Sequence, residues 1–177
     1  MSYFSKFPSF QYKLNGSEDI VTDILRRSTF ISEYKPYTDL YSSYTIVDGE
    51  TPQSIAIKFY KSPNYQWVVL MFNELHNIYG EWPLDSLALK NYCIDKYSEI
   101  TMYMVKHYEL DGIVVGEVKE FVDKNITWIE PDIINGSVPI SFYEYEEQLN
   151  DKKREILILR PELLNEFVKQ FSKSIKT

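Results

Sequence analysis

YTIVDGETPQSIAIKFYKSPNYQWVVLMFNELHNIYGEWPL, residues Tyr44 to Leu84, reads as strand, turn, helix and helix in close succession. It opens on the alternating segment Tyr44-Thr45-Ile46-Val47, which reads as a short strand, and turns at Asp48-Gly49-Glu50. Gly49 suits a tight strand-to-helix turn, because such a turn often needs a backbone angle open only to glycine. Thr51-Pro52 then starts a helix: threonine offers an oxygen to the orphan amides, and proline at the first helical position has no amide to orphan. Ile55, Ala56 and Phe59 form one apolar face of that helix. Ser62-Pro63 repeats the start signal, and Trp67, Val68, Met71, Phe72 and Leu75 form the face of a second helix. From Tyr65 to Phe72 this second helix is apolar almost all round, which predicts burial on more than one side.

Working outward, residues 1 to 16 carry Tyr3, Phe4, Phe7, Phe10 and Tyr12, more aromatic surface than a short arm can bury in itself. Such an arm docks on its own domain or on a neighbour. Asn15-Gly16-Ser17 reads as a turn with a cap. A helix is expected after it, with Ile20, Val21, Ile24 and Leu25 on one face, Glu18 and Asp19 in the first turn and Arg26-Arg27 later. Phe30 to Tyr41, broken by Pro36, reads as extended.

Downstream, Asp85 can cap a third helix bearing Leu87, Leu89, Tyr92, Cys93 and Tyr97. Thr101 to Tyr108 is β-rich, Asp111-Gly112 is a hairpin-type turn, and Ile113-Val114-Val115 answers it. Phe121-Val122 and Ile126 to Ile129 suggest further short strands, with Pro131 and Asn135-Gly136 as breaks. Tyr143 to Arg154 reads as a polar turn or short helix. Ile156-Leu157-Ile158-Leu159 is apolar on both faces and reads as a buried strand. Pro161 starts a last amphipathic helix with Leu163, Leu164, Phe167, Val168, Phe171 and Ile175. The expected fold is α+β: an aromatic arm and helix over residues 1–43, a strand-helix-helix unit with an additional helix over 44–99, and a β-rich region ending in a helix over 100–177.

Composition narrows the function. With 177 residues and 44% apolar content the chain is long and apolar enough to bury a core. Aromatics make up 16%, which serves an aromatic-rich core or a protein interface equally well. A net charge of −7 argues against nucleic acid, whose binders leave a basic footprint, and against anionic membranes. No run reaches the ~20 apolar residues of a membrane span, and the first ten residues do not read as a secretory signal. One cysteine, Cys93, leaves no internal disulfide, which fits a reducing compartment, and its apolar neighbours place it in a core.

Candidate chemistry is sparse. His76, His107 and Cys93 do not supply the three or four closely spaced ligands of a zinc site, so neither metal nor cofactor is expected. His76, just beyond a helix end, reads as structural. No nucleophile-elbow, Walker or dinucleotide-binding motif occurs. Glu50, Glu74 and Glu81 could be offered as a hydrolase pair, but 26 acids guarantee some pairs, and none sits in a recognisable catalytic run. Lys152-Lys153-Arg154 reads as a solvated turn or as a knob on an acidic partner.

Tyr44 to Val47, Gly49-Glu50-Thr51, Ser54-Ile55-Ala56 and Asn73 together resemble the LysM module. The apolar second helix departs from glycan-binding modules and favours a protein-packed role. LysM modules close with a second strand, for which Glu81-Trp82-Pro83-Leu84 is the nearest candidate. Pro52, Ala56 and Tyr60, then Tyr65 to Leu70, Asn73, Glu81 to Leu84 and Tyr92 to Tyr97, resemble a baseplate wedge protein of contractile-tailed bacteriophages. Tyr143 to Glu146, Leu149 to Ile156 and Arg160-Pro161-Glu162 extend the likeness, which is to the small wedge subunit of T4-like phages with a LysM-like domain. The resemblance implies a non-enzymatic virion part, made in the host cytoplasm, joining neighbouring wedges in a hetero-oligomer. The implied partners are the ring-forming wedge subunit and a lysozyme-like small baseplate subunit. Phe4, Phe7, Phe10, Trp67, Trp82, Lys152, Lys153, Arg154, Phe167 and Phe171 are the expected partner contacts, with Gly49 as the structural turn. The competing function is a module that binds peptidoglycan or another glycan on the first-turn and second-helix loop.

Overall fold

Both ends of the chain build one unit, Met1–Trp82 with Glu155–Thr177, and the middle, Pro83–Arg154, builds another. The computed structural model describes residues 3–14, 16–24, 38–117, 121–122, 125–126 and 135–175. A 3₁₀ turn, Tyr3–Lys6, leads into β1 (Ser9–Leu14), which pairs antiparallel with β2 (Ser17–Thr22). The helix expected from Glu18 is therefore a strand. Leu14 lies opposite Ser17, leaving a two-residue connection in which Gly16 takes φ +87°, the geometry an Asn-Gly hairpin turn requires. Glu18, assigned to a helix dipole from the sequence, instead forms an ion pair with Lys13 directly across the ladder. Ile20, Val21 and Thr22 are β-branched and favour this outcome. The expectations for residues 25–37 lie outside the described residues, and Thr38–Leu40, expected to be extended, forms a 3₁₀ turn that leads into the next strand.

The central strand, β3, spans Tyr41–Thr45, beginning three residues before the expected start. Gly49 follows at φ +77°. The first helix, α1 (Pro52–Tyr60), starts as its sequence dictates: Thr51 accepts from the Ser54 amide, Ser54 reciprocates, and Pro52 sits in the first turn. Its end comes at Lys61, whose left-handed backbone lets its N–H reach the Ile57 carbonyl at 3.0 Å. After a 3₁₀ turn at Pro63–Tyr65, α2 (Gln66–Phe72) buries Trp67, Val68, Val69 and Phe72, matching its all-round apolarity. A single helical turn, α3 (Ile78–Glu81), is held by the Glu81 carboxylate, which accepts from the amides of His76 and Asn77.

The inserted unit begins with α4 (Ser86–Tyr97), capped by Asp85 through the Ala88 amide at 2.8 Å. A 3₁₀ turn at Thr101–Tyr103 occupies the first residues expected to be strand. β4 (Val105–Leu110) is the centre of a three-stranded antiparallel sheet between β5 (Ile113–Glu117) and β8 (Val138–Ser141), with Asp111-Gly112 as the first turn. Between them β6 (Phe121–Val122) pairs with β7 (Asn125–Ile126), and residues 127–129 lie outside the described set. The sequence left Tyr143 to Arg154 between turn and helix; it is α5 (Phe142–Lys152), begun by a capping box of Ser141 and Glu144. Leu89, Cys93, Tyr97, Met102 and Phe142 form this unit's apolar cluster.

The chain then returns to the first unit as β9 (Glu155–Leu159), antiparallel to β3, with Ile156, Ile158 and Leu159 buried. This, not Glu81 to Leu84, is the second strand. Pro83 has no amide to donate to a ladder, and Glu81 already belongs to α3. The strand–helix–helix–strand order β3-α1-α2-β9 is thus closed across the inserted unit. Asn73, just after α2, secures the closure: its amide nitrogen donates to Leu157 O and Val69 O at 2.8 Å each, and its oxygen accepts from Leu157 N at 2.7 Å. Tyr60 adds a hydroxyl bond to the Leu159 carbonyl at 3.0 Å. After a 3₁₀ turn at Pro161–Leu163, α6 (Leu164–Ser174) lays Leu164, Phe167 and Phe171 into the same core as Trp67 and Phe72.

Candidate assembly surfaces

No group of three or more histidine, cysteine, aspartate or glutamate side chains is placed to hold a metal ion among the described residues. Cys93 is buried and free, and burial raises its thiol pKa, so little of the reactive thiolate is present near neutral pH. The sites of interest are surfaces, and the ten expected contact residues divide between surface and interior.

The N-terminal aromatics split within a few residues. Tyr3 packs edge-on to Phe7 at 4.9 Å, lies 5.4 Å from Trp67 and stacks on Phe171 at 5.8 Å, so the first turn docks on its own unit. Phe7 is buried there. Phe4 and Phe10 are 53% and 49% exposed. Trp67 lies 4.9 Å from Phe171 and 6.3 Å from Phe167, and Phe72 meets Phe167 at 6.0 Å; these rings are interior. Trp82 is also buried, and its indole N–H donates to the Glu50 carbonyl at 2.9 Å, tying the segment after α3 to the first turn.

That first turn is itself locked. Tyr44 donates to the Glu50 carboxylate at 2.6 Å, Lys58 donates to Tyr44 at 2.6 Å and to Glu50 at 3.2 Å, and the Val47 amide donates at 3.0 Å. Burial alone would push the Glu50 carboxyl up, but these donors outweigh it and hold the group below its ordinary range. Within the basic run, Lys152 and Lys153 are exposed. Arg154 is half-buried, pairing with Asp151 at 3.0 Å and reaching the Leu84 carbonyl.

Sequence reasoning missed the most exposed apolar groups. Tyr79, on α3, is 92% exposed, Ile100 82% and Ile20 on β2 79%, with Val21 and Tyr12 exposed on the other face of the same hairpin. The hairpin was legible in Asn15-Gly16 between alternating segments. Tyr79 carried no comparable signal, since one aromatic in a loop reads equally as anchor or core.

Interior aromatics fixed by their own chain and apolar hairpin side chains left in solvent are features of a packing component. The chain belongs to the base plate wedge protein 53 family, whose model matches residues 15–174. It is therefore a structural component of a bacteriophage tail baseplate, found in the virion tail and assembled with other baseplate proteins. No curated protein matches the chain. No helix among the described residues is long and apolar enough to cross a membrane.

Proposed function

We propose that the protein packs between wedge proteins and helps join neighbouring wedges, without a chemical step. Its neighbours in this reading are the ring-forming wedge subunit and a lysozyme-like small baseplate subunit, met as a hetero-oligomer in the host cytoplasm. The observation that carries the reading is the β1–β2 hairpin, with Phe10, Tyr12 and Val21 exposed together on one face and Ile20 exposed on the other. A two-stranded hairpin is marginal alone in water, and contiguous exposed apolar side chains mark interaction sites. Phe4, Phe10, Lys152 and Lys153 are the expected contacts that lie at the surface; Trp67, Trp82, Phe167 and Phe171 act from behind it, fixing the elements that carry them.

The β3-α1-α2-β9 order supports a LysM-like ancestry for the first unit. The Trp82–Glu50 bond argues against retained glycan binding, because it links the two loops between which an oligosaccharide would have to lie. Size-exclusion chromatography with light scattering, on the chain alone and co-expressed with wedge proteins, tests this, with a peptidoglycan pull-down alongside. A stable hetero-complex without glycan retention is the expected result. A monomer retained on peptidoglycan in the presence of wedge partners would overturn it.

A further inference from the structure

The hairpin offers a backbone edge as well as an apolar face. Leu14 and Ser17 flank its turn, and one step past the other end the Asp23 amide donates to the Pro8 carbonyl at 2.8 Å. Bonded and non-bonded pairs alternate along an antiparallel ladder, so Phe10–Val21 and Tyr12–Asp19 are also inward-bonded pairs. The N–H and C=O groups of Glu18 and Ile20 and the N–H of Thr22 consequently point away from β1, while the Thr22 carbonyl already accepts from the Ile24 amide at 3.0 Å. Among the described residues no third strand pairs with them. The opposite edge presents Ser9, Gln11 and Lys13, a polar set ending in a lysine of the kind that discourages pairing. On the β2 edge the middle residue is Ile20, 79% exposed.

Charge selects the occupant. Glu18, Asp19 and Asp23 lie on β2 or just beyond it, with no lysine or arginine between Ser17 and Ile24. A second copy of this strand would bring a second set of these carboxylates to the seam, its nearest cation, Lys13, being already paired with Glu18. A strand alternating lysine or arginine with apolar residues would pair its backbone with Glu18, Ile20 and Thr22 and its charges with the acids. We propose that β2 is an acceptor edge to which a basic, extended segment of another baseplate protein adds as a third strand. This rests on the assembly role proposed above and specifies its chemistry.

The test uses the full chain in its complex with the co-expressed wedge proteins. Amide hydrogen exchange at Glu18, Ile20 and Thr22 is expected to slow about tenfold or more on assembly, whereas Val21, already bonded to β1, changes little. Ile20→Pro removes one outward N–H and no hairpin bond, an arrangement edge strands tolerate, and is expected to weaken assembly about tenfold. Ile20→Val retains it. Asp19→Lys, which leaves the backbone intact, weakens assembly several-fold and reduces its sensitivity to salt. The proposal is overturned if the complex forms while the three amides exchange at their free rate. It is equally overturned if Ile20→Pro, with the Phe10 and Val21 amides still protected, assembles at wild-type affinity, or if the chain alone dimerises through this edge. Failure to form any complex removes the wedge-joining reading and this edge with it; a complex with an unprotected edge removes the edge alone.

Discussion

In the unit made of both chain ends, Trp67, Phe72, Phe167 and Phe171 fill the interior, whereas in the inserted unit a smaller apolar cluster shares the interior with His107, Glu146 and Asn150. The first holds itself mainly by non-directional burial of apolar area. The second adds polar contacts: Glu146 accepts from Tyr97 at 2.5 Å and from Lys96 at 2.8 Å, and His107 Nε2 bonds Glu109 at 2.9 Å, its ring perpendicular to that of Tyr145 and its buried Nδ1 without a partner among the described residues. Burial and the Glu146 carboxylate push the Tyr97 hydroxyl up to about 12. Both units nevertheless share one device, an asparagine that imitates a peptide. Asn73 bonds the N–H and C=O of Leu157, and Asn150 does the same for Leu84 at 2.8 and 2.9 Å. Long-range closure thus takes the same polar device in both units, while the first fills its interior with aromatic bulk and the inserted one gives part of its interior to polar groups.

The largest expected effect comes from Phe167→Asp, which places a carboxylate among Trp67 and Phe72 with no cation to receive it. A loss above about 4 kcal/mol is expected, enough to unfold the first unit. Hydrogen exchange should show β3 and β9 opening before β4, and an unchanged denaturation midpoint would mean α6 is not core. Next, Asn73→Ala should cost about 2 kcal/mol, by leaving the part-buried N–H and C=O of Leu157 without partners, and Asn150→Ala about 1–2 kcal/mol, because Arg154 still reaches the Leu84 carbonyl. The paired comparison would fail if either variant kept the wild-type urea midpoint.

Glu146→Ala should cost about 1–2 kcal/mol, tempered because Lys96 is partly exposed and water replaces some of the lost bond. Its mark should be confined to the inserted unit, and loss of β3–β9 protection would contradict that. Gly49→Val should cost about 1–2 kcal/mol from backbone strain alone, since φ is +77° and a Cβ there would meet no atom within 4 Å. Gly49→Ala recovering wild-type stability would show the strain to be illusory.

The smallest effect is one of pH. The amide and hydroxyl of Ser141 hold the Glu144 carboxyl below the ordinary 4.5. A carboxyl depressed in the folded state adds stability that is complete above its unfolded value and lost as pH falls through the folded one. Urea midpoints should therefore drop below about pH 4.5. Glu144→Gln should flatten that slope in the inserted unit, and an unaltered slope would remove Glu144 from the acid response.

Local signals in the sequence were reliable where a few neighbouring residues complete an interaction. Thr51-Pro52 with Ser54, Asp85 with Ala88 and the Asp111-Gly112 turn all form as their side-chain chemistry requires. The hairpin departs from the expected helix because Glu18 serves a helix N-terminus and a cross-strand lysine equally well. Asn15-Gly16 was the better guide. Phe167 and Phe171 could not be assigned to core or interface from periodicity, since an amphipathic face has the same spacing whether its cover is its own chain or another.

The caps, the turns, the buried character of Ile156, Ile158 and Leu159, and the segments that indicate the family all follow from local sequence. Only the tertiary structure decided that β9 closes on β3, because strand pairing across a long insertion leaves no trace in local spacing. It also decided which aromatics are interior. Apolar burial rewards area without specifying a partner, so that choice was made by the packing of α2, α6 and the first turn of the chain.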